Sequence, residues 1–302
     1  MGRFASLFVI IAAALWGVDG IILTPQLYGL PVPLVVLIES SIVTLFLSPI
    51  FIKDLPKLKS LDIKDWAAFA GVALFGGAIG TMAITKALFY VNFVNLSIVI
   101  LIQKLQPVFA LTLAGLLLKE KLPRIFFLWA ASAVIGAYLM TFGISTPNLA
   151  NGDKTTYAAL LSLVAAISFS SSTVFSKRAL RNVGFKMSTY LRFLISGFIM
   201  LIIAGTLGDI KAISIISVNQ WLIFLLIAFT TGGAAIFLYY YGLKRITASV
   251  ATICELAFPL TAVVLEYFVR GNILAPIQWF GVLILIFSII KVSGINLINQ
   301  KN

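Results

Sequence analysis

Residues 80–143 read GTMAITKALFYVNFVNLSIVILIQKLQPVFALTLAGLLLKEKLPRIFFLWAASAVIGAYLMTFG, and residues 232–295 read GGAAIFLYYYGLKRITASVATICELAFPLTAVVLEYFVRGNILAPIQWFGVLILIFSIIKVSGI. A constant shift of 152 positions lays the first on the second without a gap. Gly80 falls on Gly232, Ala83 on Ala235, Ile84 on Ile236, Ser97 on Ser249 and Pro107 on Pro259. Ala110 falls on Ala262, Leu113 on Leu265, Leu122 on Leu274 and Ile125 on Ile277. Chance supplies some apolar matches. It does not readily supply matched prolines inside long apolar segments, or a break at the same place after each. The reading is a duplicated membrane unit.

Composition agrees. Hydrophobic residues make up 61% of the 302-residue chain and charged residues 11%, against roughly 25% charged in a soluble domain. Such a chain cannot cover itself with polar surface, so an all-α integral membrane protein in contact with the lipid bilayer is expected. The formal charge of +12 does not point to nucleic acid, because the basic residues sit in short loops between apolar runs. There is no histidine and one cysteine, Cys254, which removes disulfides, Cys/His metal sites and imidazole relays together. Carboxylates and lysines are left to carry any proton or ion chemistry.

Ten apolar segments follow one another, roughly 4–23, 32–52, 66–89, 94–118, 125–144, 157–176, 187–207, 219–242, 247–269 and 274–294. Each is about long enough to cross a ~30 Å hydrocarbon core as a helix. The first resembles a signal sequence at Arg3 and Ala12-Ala13-Ala14, but its apolar run continues through Leu23 and it is kept as a spanning helix. Asp65 is the expected N-cap of a helix opening at Trp66. Pro31-Val32-Pro33 and Lys119-Glu120-Lys121-Leu122-Pro123 end segments, and Thr146 to Thr156 divides the halves. The domains expected are a first five-helix repeat over 1–145, a linker over 146–156 and a second, inverted repeat over 157–302.

Basic residues alternate in density from loop to loop. Sixteen fall on one side: Arg3, the Lys53–Lys64 loop, Lys119 to Arg124, Lys177 to Lys186, Lys244-Arg245, Lys291 and Lys301. Three, Lys154, Lys211 and Arg270, fall on the other. Lys and Arg stay in the cytoplasm, so both termini are expected there. A five-helix unit has odd parity, so its second copy enters the membrane upside down. Inverted repeats place a substrate site near the midplane where they meet, and alternating access uses that symmetry.

The chain resembles the drug/metabolite transporter superfamily, in particular the ten-helix EamA-type group. The likeness covers nearly all of it. Leu105-Gln106-Pro107-Val108-Phe109-Ala110 through Leu118-Lys119-Glu120-Lys121-Leu122 resembles the family's fourth-helix signature. Ala12-Ala13-Ala14-Leu15-Trp16-Gly17 resembles the start of its first helix, and Arg192-Phe193-Leu194 its second repeated helix. The resemblance implies a cavity lined by helices one to four and six to nine, with the fifth and tenth peripheral. The chain departs from the pattern where Glu39 stands opposite Arg192 (offset 153), where Asn272 stands opposite Glu120, and where Lys104 and Glu255 put charges into the fourth and ninth helices.

A charge near the bilayer centre costs about 2.5–3.5 kcal/mol on insertion scales, so each needs a reason. Glu255 leads. Thr252, Glu255 and Pro259 share a helix face, and Pro259 frees a carbonyl there. Glu255 is placed to carry a proton or hold a cationic group, or else to sit in a structural ion pair. Lys104, one residue from the mate of Glu255, is its expected partner or a holder of an anionic group. Asp19, Glu39 and Lys86 are read as an outer network, either a gate or a satisfied charge cluster. Arg192 is read near the cytoplasmic end, able to snorkel, and Glu266 as solvated. Trp16, Gln103, Gln106, Asn95 and Tyr240 are candidate cavity walls, with interhelical hydrogen bonding the plainer reading. Ser168 to Thr173 reads as close helix packing, with cavity wall the alternative, and Tyr239-Tyr240-Tyr241 as an interfacial aromatic belt. Pro107 and Pro259 are the helix breakers.

The function expected is a secondary active transporter of a small metabolite, amino acid-like or another small organic solute, in a prokaryotic plasma membrane. Export and a proton link come from the resemblance. The alternative is an exchanger of anionic metabolites such as sugar phosphates or nucleotide sugars, clamped by Lys86, Lys104 and Arg192. Gly71 to Gly80 is Gly-rich but lacks the Lys-Ser/Thr of a phosphate loop. No enzyme activity, cofactor or metal is expected, and a homodimer is left open.

Overall fold

A computed structural model describes residues 4–90, 99, 102–103, 105–145, 152–270 and 273–299. Among these residues the chain is helical, with no strand. Among the described residues nine helices are long and apolar enough to cross a membrane: α1 (Ala5–Leu27), α2 (Val32–Asp54), α3 (Ile63–Tyr90), α5 (Arg124–Phe142), α6 (Thr156–Ala179), α7 (Phe185–Leu207), α8 (Val218–Leu243), α9 (Ala248–Leu265) and α10 (Pro276–Ile295). A shorter apolar helix, α4 (Gln106–Leu118), lies between α3 and α5. It is the second half of the expected 94–118 segment.

Local chemistry sets the helix starts. Asp62 caps α3 by accepting from the Asp65 backbone N–H at 2.7 Å. The helix therefore opens at Ile63, and Asp65 is not the cap expected from the sequence. Its carboxylate is buried (2% exposed) and ties α3 to the end of α6, with Asn182 Nδ2 at 2.8 Å and the Arg178 guanidinium at 3.6 Å. Ser217 and Gln220 form a reciprocal capping box at the start of α8.

The start of α9 is capped from another helix. α4 ends at Lys119, which takes the left-handed conformation (φ 55). That turn delivers Glu120 to the first turn of α9, where it accepts from Ala248 N at 2.8 Å, Ser249 N at 3.1 Å and Ser249 Oγ at 2.6 Å. A carboxylate there satisfies orphan N–H groups and complements the positive end of the helix dipole. At the same end of the bundle, Lys177 Nζ donates to the carbonyls of Leu243 at 2.9 Å and Lys244 at 3.2 Å. Lys244 Nζ donates to Val183 O at 2.9 Å. Partial burial, with Arg245 alongside, holds the Lys244 ammonium below the usual lysine pKa.

Prolines set the breaks. Pro259 cannot donate to the Glu255 carbonyl, and its ring crowds the preceding turn. α9 is accordingly two helices, Ala248–Cys254 and Ala257–Arg270, separated at Glu255-Leu256. The freed Glu255 carbonyl accepts instead from Phe258 N at 2.9 Å. Similar tight turns flank Pro107, from Leu105 N to Ile102 O at 3.0 Å and from Val108 N to Leu105 O at 2.9 Å.

The extensive packing pairs α5 with α10, α2 with α7, α1 with both α8 and α9, α3 with both α6 and α7, and α4 with both α6 and α9. Exchange each helix for its counterpart five places along and this set maps onto itself, with α2–α8 contacts matching α3–α7. Small residues permit the closest approaches. A Cβ on Gly76 or Gly77 would collide with Ser172 Oγ or Ser196 Oγ. α5 and α10 meet backbone to backbone, where a Cβ on Gly136 would lie 2.8 Å from Leu285 N and 3.0 Å from Gly281 O. Within the serine run of α6, Ser172 is thus a packing residue against α3.

Candidate functional site

The break in α9 presents Glu255 to three other helices. Gln106 Nε2, from α4, donates to its Oε2 at 2.7 Å. Tyr239 OH, from α8, donates to Oε1 at 2.7 Å, and Thr173 Oγ1, from α6, reaches the same oxygen at 3.3 Å. Thr173 and Tyr239 are themselves 3.0 Å apart. The Trp16 ring of α1 lies 5.3 Å from the Tyr239 ring. Ser170 Oγ reaches the Gln106 carbonyl at 2.9 Å. A partly buried carboxylate is therefore held by neutral donors, and each hydrogen bond to a charged group contributes about 1.5–3 kcal/mol.

One amide, that of Gln106, is bound to it. Because Gln106 spends its Nε2 on Glu255, the carboxylate fixes the orientation of that amide. Its Oε1 is left without a hydrogen-bond partner among the described residues. Gln103, three residues earlier, has a buried Nε2 with no partner among the described residues.

A second group of polar residues lies between α2 and α7. Glu39 and Arg192 line one cavity of about 60 Å3 with Ser40, Thr81, Ser196 and Gly232. The volume suits a few waters. Arg192 Nη1 reaches Tyr240 OH at 3.4 Å, and Tyr240 OH is 3.0 Å from Ser176 Oγ. Arg192 faces this interior and does not snorkel to the end of the bundle, because Tyr240 holds it there. Asp19 stands on a widened turn of α1 (Asp19–Leu23). It is close enough to Glu39 for their charges to interact.

The structure brings together Glu255, Gln106 and Trp16, and separately Glu39, Asp19 and Arg192. Lys86 joins neither group. It is exposed, with its Nζ 6.0 Å from the Tyr90 ring, so the expected Asp19–Glu39–Lys86 network reduces to its two carboxyls. Lys104 and Asn95 lie outside the described residues, as does the Glu266 side chain. The tyrosine run is not a belt. Tyr239 and Tyr240 are 3% and 1% exposed, and only Tyr241 packs outward, stacked under Arg245 at 3.7 Å. Tyr239 is a site residue that sequence reasoning missed, whereas Thr173 ends the α6 run whose alternative reading was a cavity wall. Three adjacent tyrosines at ~100° per residue span too wide an arc to face lipid together, and that was the available signal.

The model of the EamA-like transporter family matches this chain twice, over residues 3–142 and 156–294. The chain is 47% identical to the riboflavin transporter ImpX of Fusobacterium nucleatum, over 96% of this chain and 98% of that protein. It is 26% identical to the uncharacterized transporter YwfM of Bacillus subtilis, over 97% of this chain and 95% of that one. A solved crystal structure superposes with a TM-score of 0.71 at 16% identity, covering 97% of this chain and 98% of the other, which shows a shared fold.

Proposed function

Because the chain belongs to the EamA-like transporter family, we propose that it is a secondary transporter that carries riboflavin across a prokaryotic plasma membrane by alternating access. The observation that carries this reading is 47% identity to a riboflavin transporter over nearly the whole of both chains. The expectation of an unspecified small solute is narrowed accordingly. We place ten spans in the membrane as two inverted five-helix repeats with both termini in the cytoplasm. Support comes from the loop charges and from helix pairings that map onto themselves when the halves are exchanged.

Riboflavin is neutral, with a flat tricyclic ring that carries an imide edge and a polyol tail. The Glu255 group suits it. Trp16 and Tyr239 offer aromatic faces for the ring. Gln106 Oε1 accepts from the imide N–H, and Gln103 Nε2 donates to an adjacent ring carbonyl. Glu255 is a positioning residue, because it sets which way the Gln106 amide points. The anion-exchanger alternative needs Lys86, Lys104 and Arg192 as a clamp; Lys86 is exposed and does not line the Arg192 cavity, and Lys104 lies outside the described residues.

The test is transport of radiolabelled riboflavin in a riboflavin-auxotrophic bacterium lacking its own carrier. Uptake and efflux from preloaded cells are both followed, with and without this chain. Flux above vector in either direction is expected and identifies the direction. Equal flux in both, with the protein present in the membrane, refutes the reading.

A further inference from the structure

The cavity between α2 and α7 holds more hydrogen-bonding capacity than its own wall uses. Glu39 and Ser40 line it from α2, Thr81 from α3, and Arg192 and Ser196 from α7. Among the described residues the Glu39 carboxyl has no hydrogen bond and no ion pair, although Arg192 lines the same space. Arg192 has five N–H donors and makes one hydrogen bond among the described residues, to Tyr240 OH at 3.4 Å.

A carboxyl and a guanidinium facing one small space suit a neutral polyhydroxyl group. Each hydroxyl both donates and accepts, so it can give a proton to Glu39 and take one from Arg192. An anion is opposed by Glu39 and a cation by Arg192. The space of about 60 Å3 has room for about four to six waters. A short polyol chain replaces such waters with its own hydroxyls.

The cavity joins the Glu255 group through α6 and α8. Thr173 and Ser176 share a face of α6 at i, i+3. Thr173 Oγ1 is 3.0 Å from Tyr239 OH, and Ser176 Oγ is 3.0 Å from Tyr240 OH. Tyr239 carries this ladder to Glu255 and Tyr240 carries it to Arg192, with the two rings 5.9 Å apart. Where α3 crosses α6, a Cβ on Gly76 would meet both Ser172 Oγ and, at 3.2 Å, Arg192 Nη1. The guanidinium therefore lies beside Ser172, the neighbour of Thr173.

We propose that Glu39, Ser40 and Arg192 form a subsite for the polyol tail of the substrate, and that Glu39 discriminates against a tail ending in phosphate. The subsite rests on the riboflavin reading, in which the ring lies against Trp16 and Tyr239; the next tyrosine along α8 then leads the tail to Arg192. A phosphate at the end of that tail brings negative charge beside the Glu39 carboxylate. Without that carboxylate, Arg192 is left unopposed to receive it.

The test is fluorescence quenching on titration of three flavins into the full chain in lipid nanodiscs. They are riboflavin, riboflavin phosphate and lumiflavin, which has the same ring with a methyl group in place of the tail. Wild type should bind riboflavin about tenfold or more tighter than lumiflavin. Glu39→Gln should bind riboflavin about tenfold more weakly, lumiflavin as wild type does, and riboflavin phosphate more tightly than wild type does. Ser40→Ala should weaken riboflavin about fivefold and leave lumiflavin unchanged, and it carries the comparison if Glu39→Gln does not fold. Lys86→Gln should match wild type with all three. Unchanged lumiflavin binding shows that a variant is folded and that its effect lies in the tail. Equal losses for riboflavin and lumiflavin overturn the subsite, as does riboflavin binding that neither variant weakens. Wild type that binds riboflavin no tighter than lumiflavin also overturns it. Wild type that binds none of the three refutes the riboflavin reading itself, and the subsite falls with it.

Discussion

Replacing Gln103 with leucine should stabilise the empty protein and weaken its hold on riboflavin. Gln103 Nε2 is buried with no partner among the described residues, and an unsatisfied buried polar group costs about 1–3 kcal/mol. Leucine is close in size and has no donor, so Gln103→Leu should recover much of that cost and raise the unfolding temperature without ligand. When the flavin ring is bound, the same donor is satisfied, so wild type regains on binding what it lost on folding. The variant cannot. Its binding should weaken by about 1–3 kcal/mol, a rise in Kd of roughly 5- to 150-fold. The assay is quenching of riboflavin fluorescence on titration into purified protein in lipid nanodiscs, paired with thermal unfolding of the same samples. Stability and affinity should move in opposite directions. A variant that is less stable and binds riboflavin as wild type does would refute the argument, for the amide would then be a structural group.

Glu120→Ala removes three hydrogen bonds from the start of α9 and should cost about 1–2 kcal/mol, seen as a lower unfolding temperature of the purified protein. Gly77→Ala puts a methyl group against Ser196 Oγ and should reduce folded yield, while Ser196→Gly in the same chain should restore it; size-exclusion profiles of the single and double variants decide. Tyr239→Phe deletes the donor at 2.7 Å from Glu255. It should lower riboflavin transport about tenfold at unchanged membrane level, because a hydrogen bond to a charged group contributes about 1.5–3 kcal/mol. Unchanged flux would show that the carboxylate is oriented without it.

Most of the helical architecture was legible in the sequence, because a bilayer admits few solutions and long apolar runs report the spans directly. The matched prolines also marked where α9 would break. The Glu255–Gln106 contact could be read only as two residues on separately interesting helices, since the pairing of α4 with α9 is a property of packing. Tyr239 was hidden by its neighbours, because an aromatic run at a helix end has an interfacial explanation ready. Asp65 misled for a related reason: Asp62 and Asp65 are three residues apart, and either could cap a helix until the backbone chooses. Glu120 stood in a quoted motif, but what it caps begins 128 residues later. Local patterns name residues well, whereas partners across the bundle follow from the crossing of helices that no local pattern encodes.

The pairing of helices has a consequence for how the protein is made. α1 packs on α8 and α9, α2 on α7, α3 on α6, and α5 on α10. Nearly every large contact joins an early helix to a late one. As the ribosome passes the middle of the chain, the helices already inserted have lipid for neighbours and almost none of their eventual partners. The first half must therefore wait, and contacts of such long sequence separation form slowly. α10, made after the other helices described, is the one that covers Gly136 on α5. Losing the chain from Pro276 onward would strip a helix from the middle of the nascent sequence of its main partner. Such a product should meet membrane proteases early, and its half-life in the cell should be far shorter than the loss of a single terminal helix suggests.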